Sequence, residues 1–196
     1  NRTELLTAAH EFRDRGIPVD AIVQDWKYWG DLGWSPQWDE HIYPDPGSMV
    51  AELHEMHFHF MVSVWCKFEN ASAYLEPLRK DGELLKHTNW LDIFQPSAQA
   101  SLYSFANTSM YSVGVDALWL DATEAEGLPN FDKTVFPYGI NQSGVSSNSL
   151  LNLYSLAVTG GITNGLAEDY PSQRPFHLTR SFSTGQQRTS GVLWSG

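Results

Sequence analysis

The chain carries one short pattern twice. Val19-Asp20-Ala21-Ile22-Val23-Gln24-Asp25 lies over Val115-Asp116-Ala117-Leu118-Trp119-Leu120-Asp121, and the two agree at Val, Asp, Ala and the closing Asp. Each is a brief apolar run stopped by a carboxylate, and each follows a helical pattern that ends in glycine, Gly16 or Gly114. Runs this short read as strands buried on both faces, and such strands belong to parallel sheets covered by helices. Binding and catalytic groups then sit just beyond the carboxyl ends. The pair predicts an internal βα repeat that presents Asp25 and Asp121 at the same height. Asp121 also opens an Asp-x-x-Glu pattern with Glu124, and Glu126 follows, which is a way to cap the next helix. Taken locally, capping is the more economical reading of Asp121.

The remaining segments extend the alternation. Residues 3–15 form a helical pattern with Thr3 as N-cap, Leu5, Leu6, Ala9 and Phe12 on one face, and Gly16 as the stop. Asp45-Pro46 is a helix start, a capping acid followed by proline at the first helical position, with Met49, Val50, Leu53 and Met56 inward. Residues 58–65 read as a strand ending at Trp65. Pro96 begins a helix that buries Leu102, Tyr103, Phe105, Ala106 and Met110 and stops at Gly114. Ser146 or Ser147 caps a helix through Leu150, Leu151, Tyr154, Ala157 and Val158 that ends at Gly160-Gly161. Residues 176–180 and 192–194 are short strands. Helix–strand alternation argues for a parallel α/β sheet. Asp25, Trp65, Asp121 and Arg180 each end a strand, so one face collects two acids, an aromatic and a base. The predicted fold is a partial (β/α)8 TIM barrel, about half of one, in which all 196 residues are part of a single catalytic domain. A doubly wound open sheet is the alternative; without Gly-x-Gly-x-x-Gly at a first βα turn, a nucleotide-binding version of it is disfavoured.

Two insertions interrupt the alternation. Residues 26–43 carry Trp26, Tyr28, Trp29, Trp34, Trp38 and Tyr43 among glycines and prolines. They serve either as aromatic platforms for the apolar C–H faces of sugar rings or as a small satellite core under a long loop. Residues 69–95 form a second insertion of polar, turn-forming character.

Charge narrows the partners. The formal net charge of −11 argues against nucleic acid, which needs lysine and arginine to displace counterions. It suits a neutral or sugar-like substrate. No apolar run approaches the ~20 residues that span a bilayer, so no membrane partner is expected. The single cysteine, Cys66, reads as a small packing residue rather than a nucleophile. His54, His57 and His59 run from a helix end into a strand and do not present a metal-ligand set; neither a metal nor a cofactor is expected. Glycosylation sequons at Asn1, Asn70, Asn107 and Asn141 are compatible with a secretory compartment without requiring one, and the compartment stays open. Asn107 is placed on a helix.

Two carboxylates, aromatic platforms and an arginine suit glycoside chemistry, in which a retaining enzyme pairs a carboxylate nucleophile with a protonated carboxylic acid. Repeat logic alone nominates Asp25 and Asp121. Longer stretches are then informative: Gly16-Ile17-Pro18-Val19-Asp20 through Asp25-Trp26 and Tyr28-Trp29, then Tyr43-Pro44-Asp45-Pro46 and Ser63-Val64-Trp65 with Lys67-Phe68. Further on come Asp116 through Glu124, Leu178-Thr179-Arg180-Ser181, Gly185-Gln186-Gln187-Arg188 and Trp194-Ser195-Gly196. Spread in order over nearly the whole chain, they resemble glycoside hydrolase family 31, the retaining α-glucosidases and α-xylosidases with a (β/α)8 catalytic barrel.

The resemblance implies that Asp121 is the nucleophile, that Glu124 supports its loop, and that Asp25, Trp26, Trp65, Trp119, Arg180 and Trp194 contact the oligosaccharide or glycoside substrate. Asp-Ala-Thr-Glu after Trp-Leu looks more like the α-xylosidase-type branch than Asp-Met-Asn-Glu does. The chain departs from the family at Cys66, where proline is common, near His57, where glycine is, and between 139 and 165. In the family the acid/base Asp follows Trp-Ser-Gly, so here it is expected after Gly196, with the rest of the parent chain needed to complete the barrel. The 196 residues alone are then expected to be inactive on unactivated glycosides and to associate through open strand edges. The alternative is a non-catalytic carbohydrate-binding or pseudo-enzyme fragment.

Overall fold

A computed structural model describes residues 1–124, 151–189 and 191–196. Glu126, Asn141, Leu150 and the proposed caps Ser146 and Ser147 lie outside the described residues. Five strands, β1 (Ala21–Gln24), β2 (His59–Val64), β3 (Ala117–Leu120), β4 (His177–Thr179) and β5 (Val192–Leu193), form one sheet in the order of the sequence, every pair parallel. A doubly wound sheet would reverse its order at a switch point; this one never does, and the barrel reading stands. The helices are α1 (Arg2–Asp14), α2 (Pro46–Glu55), α3 (Leu75–Lys80), α4 (Pro96–Ser109) and α5 (Tyr154–Asp169). Among the described residues no helix is long and apolar enough to cross a membrane.

Register carries the repeat into three dimensions. Ala21 pairs with His59, and Met61, two residues further along β2, pairs with Ala117. The repeat-equivalent residues of β1 and β3 are therefore offset by two positions over two strand steps. A shear of eight residues shared among eight strands adds about one residue per step. The offset thus returns Asp25 and Asp121 to a common height along the barrel axis, on alternate strands that feed the same layer. The same pairing aligns Ser63 with Trp119 and Leu118 with His177, which puts Trp65, Asp121, Arg180 and Trp194 on the inward side.

The outward side of the sheet and the helices make the core: Phe60, Val62, Val64, Leu118 and Leu120 pack with Leu53, Leu102, Ala106 and Val158. Several expectations change in detail. Asn1, not Thr3, caps α1: its Oδ1 accepts the Glu4 N–H at 3.0 Å, and the Glu4 carboxylate reaches back to the Asn1 amine. The 19–25 segment is not buried on both faces, since Val23 is 45% exposed and Ala21 and Asp25, on the same inward side, are exposed as well. α4 ends at Ser109, and Gly114, at φ +99°, closes the 3-10 turn that follows it. The Gly160-Gly161 pair does not stop α5, which runs on to Asp169. Its glycines instead let two helices touch: a Cβ at Gly161 would come within 2.9 Å of Gln99, and one at Gly165 within 2.3 Å of the Tyr103 ring.

The aromatic loop divides between its two readings. Tyr28, Trp29 and Tyr43 are buried, and Trp38 stacks among Tyr28, Tyr43 and Phe60 while donating its indole N–H to the Ser109 carbonyl at 2.7 Å. These four join the main core rather than forming a separate satellite. Trp26 and Trp34 face elsewhere. Residues 69–95 likewise hold buried Leu75, Leu78, Leu85, Trp90 and Leu91 despite their polar composition.

Candidate active site

β3 delivers Asp121 into a nearly closed environment. The residue is 8% exposed and is followed by Ala122, a non-glycine residue held at φ +53°. The Asp121 N–H reaches the Val64 carbonyl at 3.1 Å, so the turn stays tied to β2. Arg180, from the end of β4, puts Nε 3.3 Å from Asp121 Oδ1 and gives Nη2 to Glu124 Oε1. The contact with Oδ1 is an ion pair without hydrogen-bond alignment, and that oxygen is sealed from solvent. Burial pushes the Asp121 carboxyl above the ordinary aspartate value. The Ala122 N–H and the Arg180 guanidinium pull it back down, while Glu124 and Asp25 add to the rise.

A pocket of about 350 Å³ opens over this carboxylate, lined by Asp25, Trp26, Trp34, Trp65, Trp119, Asp121 and Trp194. That volume is at the small end of the range for ligand sites. Trp119 and Trp194 meet edge to face at 5.1 Å, and Trp34 stacks on Trp65 at 4.9 Å with 12° between planes. Among the described residues the indole N–H groups of Trp34, Trp65 and Trp119 are buried without a hydrogen-bond partner, which is a cost to the fold. Asp25 Oδ1 accepts the Trp26 N–H at 2.7 Å.

The sequence nominated six of these seven residues for the site, and the structure brings all six to one pocket; Glu124 and Arg180 join them as an ion pair beside Asp121. The seventh, Trp34, belongs to the aromatic loop, where the sugar-platform reading covers it without singling it out. Its signal was the preceding Gly33, at φ +71°, where a Cβ would strike Glu69 at 2.3 Å. That approach lets the Glu69 N–H bond the Trp34 carbonyl at 3.2 Å and brings Lys67 Nζ to 4.1 Å over the Trp34 ring.

Other candidates resolve into structure. Asp116, the repeat partner of Asp20, accepts from the Phe60 N–H at 2.7 Å and lies 2.9 Å from His54 Nε2 and 3.2 Å from His59 Nδ1. Burial opposes its ionisation, but these three partners hold its carboxyl below the ordinary value. Cys66 is buried and its thiol is pushed up to about 12 by burial, too high to supply a thiolate nucleophile. Asn107 lies on α4, engaged with Asp169 and Tyr170, whereas Asn70 is exposed in a turn.

Comparison with known proteins agrees with this geometry. The family model described as the glycosyl hydrolases family 31 TIM-barrel domain matches residues 1–196. An alpha-xylosidase of Saccharolobus solfataricus is 32% identical over 200 residues, covering all of this chain and 27% of the relative. The crystal structure of a GH31 alpha-xylosidase from Xanthomonas citri superposes with a TM-score of 0.83 at 30% identity, over 98% of this chain and 23% of that one. A GH31 alpha-xylosidase from a soil metagenome, solved in complex with xylose, gives 0.84 at 25% identity over 100% and 30%. The chain thus spans roughly a quarter of the length of the relatives it matches. It belongs to glycosyl hydrolase family 31, as part of that family's TIM-barrel domain.

Proposed function

We propose that the protein containing this chain is a retaining α-glycosidase acting on α-xylosides or α-glucosides, with Asp121 as its nucleophile. The observation that carries the reading is the Asp121 carboxylate: at the carboxyl end of a barrel strand, lining an indole-walled pocket, and 3.3 Å from the Arg180 guanidinium.

An ionised Asp121 oxygen attacks the anomeric carbon as the bond to the leaving oxygen breaks, forming a glycosyl ester. Water then attacks the same carbon, returning the carboxylate and releasing the sugar with its configuration retained. A nucleophile must be ionised to react, and Arg180 and the Ala122 N–H favour the ionised form in opposition to burial, which raises the carboxyl pKa. Asp25 and the arginine are placed to bond sugar hydroxyls, contacts that tighten as the ring flattens toward the oxocarbenium ion. Glu124 holds Arg180 from the other side and so supports the nucleophile loop. The proton for the leaving group requires a second carboxyl about 5–5.5 Å from the first. In the family this chain resembles, that acid is an Asp following Trp-Ser-Gly.

The reading is tested on the full-length protein with α-xylosides and α-glucosides, by following the configuration of the first-formed sugar by NMR. Release of the α-anomer is expected. Release of the β-anomer first, or sugar binding without turnover, would contradict it.

A further inference from the structure

Beneath the pocket lies a buried polar chain that the reaction does not use. Gln186, Ser155, Thr179 and Thr123 are each 2% exposed or less, an unusual concentration of hydroxyl and amide groups under a sheet. Directions within it can be assigned. The Ser183 N–H donates to Gln186 Oε1 at 3.2 Å, so the Gln186 amide turns its N–H toward Ser155 Oγ at 2.6 Å. Ser155 must then donate its own hydrogen to the Ser181 carbonyl, 2.5 Å away, since a carbonyl only accepts. Thr179 Oγ1 sits 3.1 Å from Ser155 Oγ and 2.9 Å from Thr123 Oγ1. Thr123 Oγ1 finally accepts the Ser181 N–H at 3.3 Å.

The placement of these groups matters more than their number. Thr123 stands two residues after Asp121 and one before Glu124; Thr179 and Ser181 flank Arg180. The chain therefore ties the loop after β3 to the loop after β4 directly below the Arg180 contacts with Asp121 and Glu124.

We propose that the Gln186–Ser155–Thr179–Thr123 chain is a positioning device that sets the distance of Arg180 from Asp121. The inference rests on the glycosidase reading above and deepens it: none of the four touches substrate, and each acts through Arg180 and the nucleophile loop. A displacement of about 1 Å in a reacting group costs on the order of a hundredfold in rate. The charged groups facing Asp121 are Arg180, Glu124 and Asp25, so an Arg180 that drifts away leaves two acids in control of its ionisation.

The test compares Thr123→Val and Thr123→Ser in the full-length protein, using 4-nitrophenyl α-xyloside and α-glucoside as probes and Asp121→Asn as reference. Thr123→Val keeps shape and deletes the hydrogen-bonding oxygen; it is expected to lower kcat about tenfold to a hundredfold with little change in KM, and to move the acid limb of kcat/KM to higher pH. Thr123→Ser restores the oxygen and is expected to restore both. Gln186→Glu, which loses the N–H donor, should reproduce the Val phenotype if Thr123→Val does not fold. Unchanged kcat and an unmoved acid limb in the folded variants would overturn the positioning role alone. An Asp121→Asn protein as active as the unsubstituted one would overturn the glycosidase reading and this inference together.

Discussion

Asp121 is held between two opposed influences, and the balance is set by single groups. Burial raises its carboxyl pKa, and Arg180 is one of the two neighbours that lower it. In the proposed role of nucleophile Asp121 reacts only when ionised, so activity is expected above its pKa and is expected to be lost as pH falls through it. Removing the guanidinium takes away a lowering influence, so Arg180→Gln is expected to shift the acid limb of kcat/KM to higher pH. A charge-assisted contact of about 2 kcal/mol also predicts a fall in kcat/KM of roughly thirtyfold. A pH–rate profile of the full-length enzyme reads both; a limb that stays put would mean that Arg180 does not act on Asp121. At this scale the sequence was informative where residues repeat. The Asp25 and Asp121 pair was visible from Val-Asp-Ala alone, as was the likeness of Asp116 to Asp20. What Asp116 does was not visible, because His54 and His59 reach it from other elements. The burial that raises Asp121's pKa was equally hidden, since it depends on side chains distant in the sequence.

Elements were legible in kind and less so at their ends. Every strand was placed from its apolar run, and Asp45-Pro46 marked the start of α2, with Asp45 accepting the Ser48 N–H at 3.2 Å. Gly160-Gly161 misled because glycine serves two purposes. It ends helices when the backbone must turn left-handed, and it brings helices together when a side chain would intrude. Neither glycine has a positive φ here, and α5 lies close against α4 through Gly161 and Gly165. Gly165→Ala forces a methyl group into the Tyr103 ring, 2.3 Å away. Overpacking of this kind costs about 1–3 kcal/mol, against a gain of under about 1 kcal/mol from better helix propensity. The variant is expected to unfold at lower denaturant concentration. An equal or higher midpoint would show that Tyr103 moves aside freely. The loop at 26–43 was ambiguous for a related reason: aromatic composition does not say which face an indole takes, and only packing against Phe60 and Trp65 separated Trp38 from Trp34.

At the scale of the molecule, one shear explains why a sequence repeat becomes a site. Strands paired in sequence order, each stepped against the last, bring carboxylates from β1 and β3 to one level and an arginine from β4 beside them. The sequence pointed to the barrel because α/β alternation with acids at strand ends has few solutions. The open inward face of β1 was not readable, since an apolar pattern records what a strand is built to bury rather than which residues bury it. The exposed Val23, Phe176 and Val192 belong to that inward side, and barrel closure is their natural cover. The central claim is the covalent role of Asp121, and a mechanism-based fluorinated glycosyl fluoride tests it most directly. Treated with such a reagent, the full-length protein is expected to lose activity with one sugar esterified to the peptide that contains Asp121. Inactivation with the label on any other residue would contradict the assignment.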